Sequence, residues 1–322
     1  MDEAMINRLY EIFGNHLQEN VCMANYTTMN VGGLADALII INSASELENS
    51  VRKLWDASIP FITLGSGSNV LVSDKGIREV VLINRAHNMK IITNISPPCG
   101  CAESGTNLTQ FARQLGFRGL CGLEWASAIP GTVGGAVYGN AGAFGQDISC
   151  NLNFLEILLP QMGKVKWPKE KMEYSYRSSI LKRQMSEAVI LSATFDFERG
   201  DLQQIKTRMD EYKQRRAQTQ PPGPSMGSIF RNPPDDKAGR LIEAVGWKGK
   251  KIGLAEISRM HANFIINNGG ASACNVLELI TSIQDAVESK FDIHLIPEIQ
   301  IIGEWDEKYR TTIDQINTGR LA

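Results

Sequence analysis

Leu64-Gly65-Ser66-Gly67-Ser68-Asn69-Val70-Leu71-Val72 and Ile129-Pro130-Gly131-Thr132-Val133-Gly134-Gly135-Ala136 are the two stretches on which the fold turns. In the first, an apolar run over residues 60–64 enters a turn whose successive backbone N–H groups and two serine hydroxyls can converge on an anion, which is a phosphate nest. Read alone, it is equally an ordinary hairpin turn. The second opens the segment 129–145, where Gly131, Gly134, Gly135, Gly139, Gly142 and Gly145 make up six of seventeen residues. So many glycines place a backbone tight against something bulky, and the polar residues Thr132 and Asn140 are at hand. Two nests fit one diphosphate better than two hairpins do. The usual nucleotide fingerprints fail: Val70 stands where a dinucleotide turn needs its third glycine, and no G-x-x-x-x-G-K-[ST] occurs. A Rossmann or P-loop site is not expected.

Around these loops the composition is that of an ordinary globular protein: 322 residues, 43% hydrophobic and 21% charged, enough for one large or two ordinary domains. A net charge of −2 offers no basic field for nucleic acid, so any anionic ligand must meet a local cluster of cations. Residues 1–20 read as an amphipathic helix rather than a signal peptide. The apolar runs at 37–41 and 154–159 are strand-sized, far below the roughly 18 residues of a membrane span. The expected location is the cytoplasm. Six cysteines, at 22, 99, 101, 121, 150 and 274, match no zinc ligand set and read as reduced, structural thiols; no metal is expected.

Periodicity predicts strands at 36–41, 60–64, 70–72, 79–83, 90–95, 153–159 and 188–197, and helices at 45–58, capped by Ser43 or Ser45, and at 107–115. A charged helix at 202–218 leads into the breaker run Gln220-Pro221-Pro222-Gly223-Pro224. The domain boundary is placed near 200, with this helix in the second domain. Beyond it, Ala238, Leu241, Ile242 and Val245 mark a helix, 261–267 a strand, 275–290 a helix and 298–302 a strand, an α+β unit.

The two glycine stretches, together with Gly122-Leu123-Glu124 and Asn140-Ala141-Gly142-Ala143, resemble the FAD-binding half of the UDP-N-acetylenolpyruvoylglucosamine reductases. Tyr26-Thr27-Thr28-Met29-Asn30-Val31-Gly32-Gly33-Leu34-Ala35-Asp36 is similar to their N-terminal signature. Tyr176-Arg177-Ser178-Ser179, Gly227-Ser228-Ile229-Phe230-Arg231-Asn232-Pro233 and Pro297-Glu298-Ile299-Gln300-Ile301-Ile302-Gly303 are similar to three catalytic segments. The match runs in order over roughly residues 25–305. It implies an α+β chain: a two-subdomain FAD-binding domain of the vanillyl-alcohol-oxidase (PCMH) type over 1–200, split near 85, then a smaller substrate domain over 201–322. It also implies noncovalent FAD held by Gly65, Ser66, Gly67, Ser68, Asn69, Pro130, Gly131, Thr132, Gly134, Gly135, Asn140, Ala141 and Gly142. NADPH is the implied reductant and UDP-N-acetylglucosamine enolpyruvate the acceptor. Only about 50 residues separate Arg177 from Ser228, as in the shorter class of the family, which lacks an additional substrate-covering loop.

The acceptor is an enol ether bearing a carboxylate, so hydride addition at its terminal carbon leaves charge that spreads into an enolate-like dianion. A fixed guanidinium beside it matters most, and the resemblance assigns that to Arg177. Glu298, raised in pKa by apolar surroundings, would be protonated or hold a water. Ser228 would deliver the proton to the carbanion carbon. Tyr176, Arg231 and Asn232 are the implied substrate contacts, and Lys213, Arg215, Arg216, Arg231 and Arg240 supply cations for a diphosphate. The chain departs from the pattern at Thr219, where many relatives have lysine, and at Phe144, where tyrosine or histidine is common. Two other classes remain open. An alcohol or sugar oxidase of the same fold would carry a histidine or cysteine bonded to FAD, and the glycine loops contain neither. A nonenzymatic flavin or nucleotide module would leave Arg177, Ser228 and Glu298 without a shared role.

Overall fold

The computed structural model describes residues 1–185 and 187–318. Contacts group them into two units, one of Met1–Leu38, Gly67–Val81 and Ala217–Ala322, the other of Ile39–Ser66 and Leu82–Arg216. The chain therefore changes unit at 216/217 rather than at 200. The helix Leu202–Thr219 groups with the second unit as far as Arg216, with Ile205 and Met209 buried. A Cβ at Gly116 would lie 2.6 Å from the Met209 sulfur and 3.2 Å from Ile205, so the helix lies directly on that glycine. The change of unit falls in the last turn of this helix, just before the breaker run at 220–224.

In the unit of 39–66 and 82–216, five antiparallel strands lie in the order Gly163–Pro168, Leu152–Leu159, Val189–Asp196, Cys99–Glu103, Met89–Ile92. Seven of the eight residues of Val189–Asp196 are buried, as its place between two neighbours requires. Cys99–Glu103 is not visible to periodicity because Cys-Gly-Cys-Ala-Glu lacks β-branched and aromatic residues. It pairs because Gly100 leaves room for Leu115, Phe111 and Phe197, each 3.0–3.2 Å from where a Cβ would stand. The helices start where expected: Ser43 accepts from Glu46 N at the head of Ala44–Asp56, and Asn107 accepts from Gln110 N at the head of Leu108–Gly116. Trp125, Phe111 and Phe195 fill the core.

In the other unit the amphipathic helix is Glu3–Phe13, shorter than the expected 1–20: Gly14 ends it at φ +55°, and Gln18–Cys22 forms a strand paired with residues 34–38. Gln300–Ile302 runs parallel to Val70–Val72, with Gln300 opposite Val70, so a strand near the end of the sequence completes one near its beginning. Lys251–Ile252, Ala255–Ile257 and Ile265–Asn267 form a small antiparallel sheet. The expected strand 261–267 is confined to its last three residues, since the Ser258 hydroxyl accepts from Met260 N and His261 N and folds the chain into a turn. The helix Ala273–Phe291 opens with a capping box between Ser272 and Asn275, and the Asp74 carboxylate accepts from its first two amides at 2.7 and 2.9 Å. Among the described residues no helix is long and apolar enough to cross a membrane, no cluster of three or more His, Cys, Asp or Glu could hold a metal, and the six cysteines are free thiols.

Candidate active site

The turn after Phe61–Leu64 has the backbone that a nest requires. Gly65 lies so close to Thr132 that a Cβ would stand 2.4 Å from its hydroxyl oxygen, and Gly67 adopts φ +62° with a Cβ position 2.1 Å from Tyr26 O. Neither site tolerates a side chain. The Gly67 carbonyl accepts from Thr28 N at 3.2 Å. Among the described residues, the amides of Ser66, Gly67 and Ser68 donate to no protein acceptor. Asn69 is a structural tie as well: its Nδ2 donates to Glu298 O at 3.2 Å and its carbonyl accepts from Gln300 N at 3.0 Å.

The second glycine stretch is a short helix, Val133–Gly139, where the sequence suggests only a loop. Three glycines in seven residues disfavour a helix, yet Thr132 caps it by accepting from Gly135 N at 3.3 Å. Val133 N donates to Thr106 O and Gly134 N to Ser104 O, at 2.8 and 2.7 Å. These amides are engaged within the protein, so this segment is not a second open nest of the kind seen at 66–68. Gly134 is required for packing, because its Cβ would stand 2.7 Å from that of Ser104. Gly131, at φ +131°, gives its carbonyl to Leu108 N, while Pro130 and Gly135 are exposed. Gly139 has open space where a side chain would be.

Asn140 ends this helix at φ +47° and is buried. Its Nδ2 donates to Asp147 Oδ2 and Ser175 O, both at 3.1 Å, and its Oδ1 accepts from Ser149 N. It thereby joins the glycine segment to the turn that carries Arg177. Ser175 and Ser178 exchange two backbone hydrogen bonds at 3.1 Å, leaving Tyr176 and Arg177 at the tip. Arg177 sits at φ +56°, a left-handed conformation unusual for a long side chain. Strain of this kind is held only where surrounding contacts determine it. The contacts are explicit: Nη1 donates to Asn140 O at 3.5 Å, Nη2 to Gly142 O, and the guanidinium lies 5.2 Å from the centre of the exposed Tyr176 ring. Tyr174 donates to Val137 O at 2.9 Å and Ser179 to Tyr138 O at 2.6 Å. Burial pushes the Tyr174 phenol far up, with Asp147 adding to it, so it remains a neutral donor. The carbonyls at the end of the glycine helix are thus the receptors that fix the arginine turn.

In the other unit the segments of Ser228 and Glu298 lie side by side. Phe230 and Pro297 are bridge partners, Glu298 N donates to Ile229 O at 2.7 Å and Arg231 N to Ile296 O at 2.9 Å. The segments that carry Ser228 and Glu298 are therefore held together by backbone pairing, and Asn69 is tied to Glu298. Ser228 and Glu298 are half-buried, and Asn232 is exposed with its oxygen accepting from Ala238 N at 3.0 Å, at the head of the helix Ala238–Ala244. Asn263 has no signal in the sequence, yet it holds this strand. Its amide accepts from Phe230 N at 2.9 Å and donates to Phe230 O at 2.8 Å, with the residue 3% exposed. Asn263→Ala orphans two buried backbone groups, each at about 1–3 kcal/mol, so a loss of roughly 3 kcal/mol is expected. A denaturation midpoint lowered at unchanged m checks this; a change below about 0.5 kcal/mol contradicts it.

The cations expected for a diphosphate differ in their surroundings. Arg240 is paired with Asp236, whose carboxyl is held down at about 2 by that guanidinium and by the Lys237 amide. Arg215 lies over the Phe144 ring at 5.4 Å, Lys213 is exposed, and burial lowers the pKa of Arg216. Three buried polar atoms, Thr63 Oγ1, Trp125 Nε1 and Ser127 Oγ, make no hydrogen bond within the protein. Buried donors of this kind call for a partner.

Residues 35–167 match the model of an FAD-binding domain, and residues 217–302 match that of the C-terminal domain of UDP-N-acetylenolpyruvoylglucosamine reductase. The open nest at 66–68 lies within the first match and suits the phosphates of such a cofactor. This is an FAD-domain oxidoreductase. The UDP-N-acetylenolpyruvoylglucosamine reductase of Caldanaerobacter subterraneus is 41% identical over 306 residues, covering 94% of this chain and 100% of that one. The Bacillus subtilis enzyme of the same name is 40% identical, covering 94% and 99%. The crystal structure of the Thermus caldophilus reductase matches with a TM-score of 0.74 at 31% identity, over 87% of this chain and 97% of that one. The chain belongs to the UDP-N-acetylenolpyruvoylglucosamine reductase family, and the α+β, FAD-binding fold class expected from the sequence holds.

Proposed function

We propose that this protein reduces UDP-N-acetylglucosamine enolpyruvate to UDP-N-acetylmuramate with NADPH, using noncovalently bound FAD, in the cytoplasm as a step in peptidoglycan precursor synthesis. The observation that supports the reading is the backbone pairing between the segments that carry Ser228 and Glu298, with Glu298 N on Ile229 O at 2.7 Å, in a chain matching reductases over nearly its whole length. Residues 35–167 would serve the cofactor and 217–302 the nucleotide substrate.

Bound FAD, once reduced by NADPH, supplies the hydride for the terminal vinyl carbon of the acceptor. Arg177, oriented by Asn140 O and Gly142 O, sets its permanent positive charge against the negative charge that spreads into the acceptor carboxylate. Because the guanidinium is ordered in advance, it need not reorganise as that charge develops. Ser228 gives its proton to the carbon bearing the carboxylate, and water returns a proton to the serine. That transfer runs downhill, since a carbanion is a far stronger base than an alkoxide. Glu298, protonated or holding a water, stabilises the same charge. Gly65, Ser66, Gly67, Ser68 and Asn69 cradle phosphate, while Pro130, Gly131, Thr132, Gly134, Gly135, Asn140, Ala141 and Gly142 shape the rest of the cofactor site. Tyr176, Arg231 and Asn232 contact the nucleotide sugar, the last through its Nδ2.

The experiment is NADPH consumption by the purified protein. It is expected only with the enolpyruvyl nucleotide, with UDP-N-acetylmuramate as product, and UDP-N-acetylglucosamine alone gives none. Consumption indifferent to the enolpyruvyl group contradicts the reading. The protein should also be yellow and release free FAD on heat denaturation, read by absorbance of the protein-free supernatant. A colourless protein that FAD cannot reconstitute would contradict the cofactor assignment.

A further inference from the structure

Phe144 occupies a position that ordinary turn chemistry does not explain. Gly142–Ala143 and Gln146–Asp147 pair as an antiparallel hairpin, with Ala143 opposite Gln146 and Gly142 opposite Asp147, so Phe144 and Gly145 form a two-residue turn. Both have positive φ, +55° and +82°, the geometry that favours Asn-Gly and burdens a bulky first residue. The ring is engaged from outside the hairpin. It stacks on Tyr212 with centroids 4.4 Å apart at 17°, and the Arg215 guanidinium lies 5.4 Å from its centre.

Tyr212 belongs to the helix Leu202–Thr219, which is fixed by Ile205 and Met209 over Gly116 and by Arg208 Nη2 on Glu124 Oε1 at 2.7 Å. The stack therefore ties the hairpin to a helix anchored by packing and an ion pair. The hairpin in turn carries what orients Arg177: Gly142 O receives its Nη2, and Asp147 holds Asn140, whose carbonyl receives its Nη1.

We propose that Phe144 is a positioning residue for Arg177, its ring locking the hairpin Gly142–Asp147 to the helix Leu202–Thr219 so that the two carbonyls hold the guanidinium in its working orientation. This rests on the role assigned above to Arg177. The ring contributes no group to the chemistry and acts only through the arginine.

The informative variant is Phe144→Asn, since Asn-Gly is the favoured sequence for this turn and deletes the ring without weakening the hairpin itself. Thermal stability, bound FAD and the rate of flavin reduction by NADPH are expected to stay near parental. Reoxidation of the reduced protein by UDP-N-acetylglucosamine enolpyruvate should slow by about tenfold or more, as displacement of a catalytic group does, with the half-saturating acceptor concentration little changed. Phe144→Tyr keeps the stack and should restore the parental rate. Tyr212→Leu removes the ring's partner and should reproduce the defect, and adding Phe144→Asn to Arg177→Lys should slow the latter no further. A parental reoxidation rate in both Phe144→Asn and Tyr212→Leu, with Arg177→Lys slow, overturns the inference and leaves the role of Arg177 standing. Equal slowing of both half-reactions also overturns it, by placing the ring's effect at the flavin. If Arg177→Lys itself is not slow, the arginine's role fails and the inference with it.

Discussion

Arg177→Lys should keep its fold and its FAD and lose at least about 10²-fold in turnover at saturating substrates, the effect of removing one preorganised donor, about 2.7–4 kcal/mol. The guanidinium divides its work. Nη1 and Nη2 reach Asn140 O and Gly142 O, and a planar guanidinium carries five N–H groups in a rigid fork. An ammonium preserves the charge but has no fork, so orientation by two carbonyls and bidentate contact with a carboxylate cannot both be satisfied. The fold should survive because the turn is closed by the Ser175–Ser178 backbone bonds and by the Ser179 and Tyr174 hydroxyls, none of which involves the side chain. Steady-state turnover within about twofold of the parent would contradict the several kcal/mol expected of a transition-state donor.

Ser228→Ala should separate the two half-reactions. In the proposed mechanism the hydroxyl acts only after hydride has left the flavin, so NADPH should bleach the variant at close to the parental rate. Reoxidation by the enolpyruvyl nucleotide should slow by at least about 10²-fold, the low end for loss of a positioned general acid. The surrounding strand depends on Ile229, Phe230 and Arg231 backbone bonds and on Asn263, so the missing oxygen should leave it in place. Stopped-flow absorbance follows both steps in one sample. Normal reoxidation would assign the proton to water or another residue, and equal slowing of both steps would indicate a disturbed flavin site.

Much of this was legible in the sequence, for identifiable reasons. Ser43 and Asn107 mark helix starts because their side chains satisfy otherwise orphaned amides, and the glycines at 65 and 67 mark a turn where any Cβ would collide. What stayed hidden depends on tertiary partners. Cys99–Glu103 is a strand because Gly100 admits three large side chains, and Val133–Gly139 is a helix despite its glycines because Thr132, Ser104 and Thr106 take its first amides. Asn140 reads as a polar residue facing a ligand, whereas it is buried and tied to Asp147 and Ser175. Asn263 and the Phe144–Tyr212 stack leave no local pattern at all, since each is defined by a partner more than 30 residues away.

Passage of hydride from the reduced flavin of this protein to an enolpyruvyl nucleotide is decided by an anaerobic titration. The holoprotein is reduced with one equivalent of NADPH and then given one equivalent of UDP-N-acetylglucosamine enolpyruvate. The oxidised flavin spectrum should return in full, with UDP-N-acetylmuramate formed in the same amount. A flavin that stays reduced until air is admitted would contradict it.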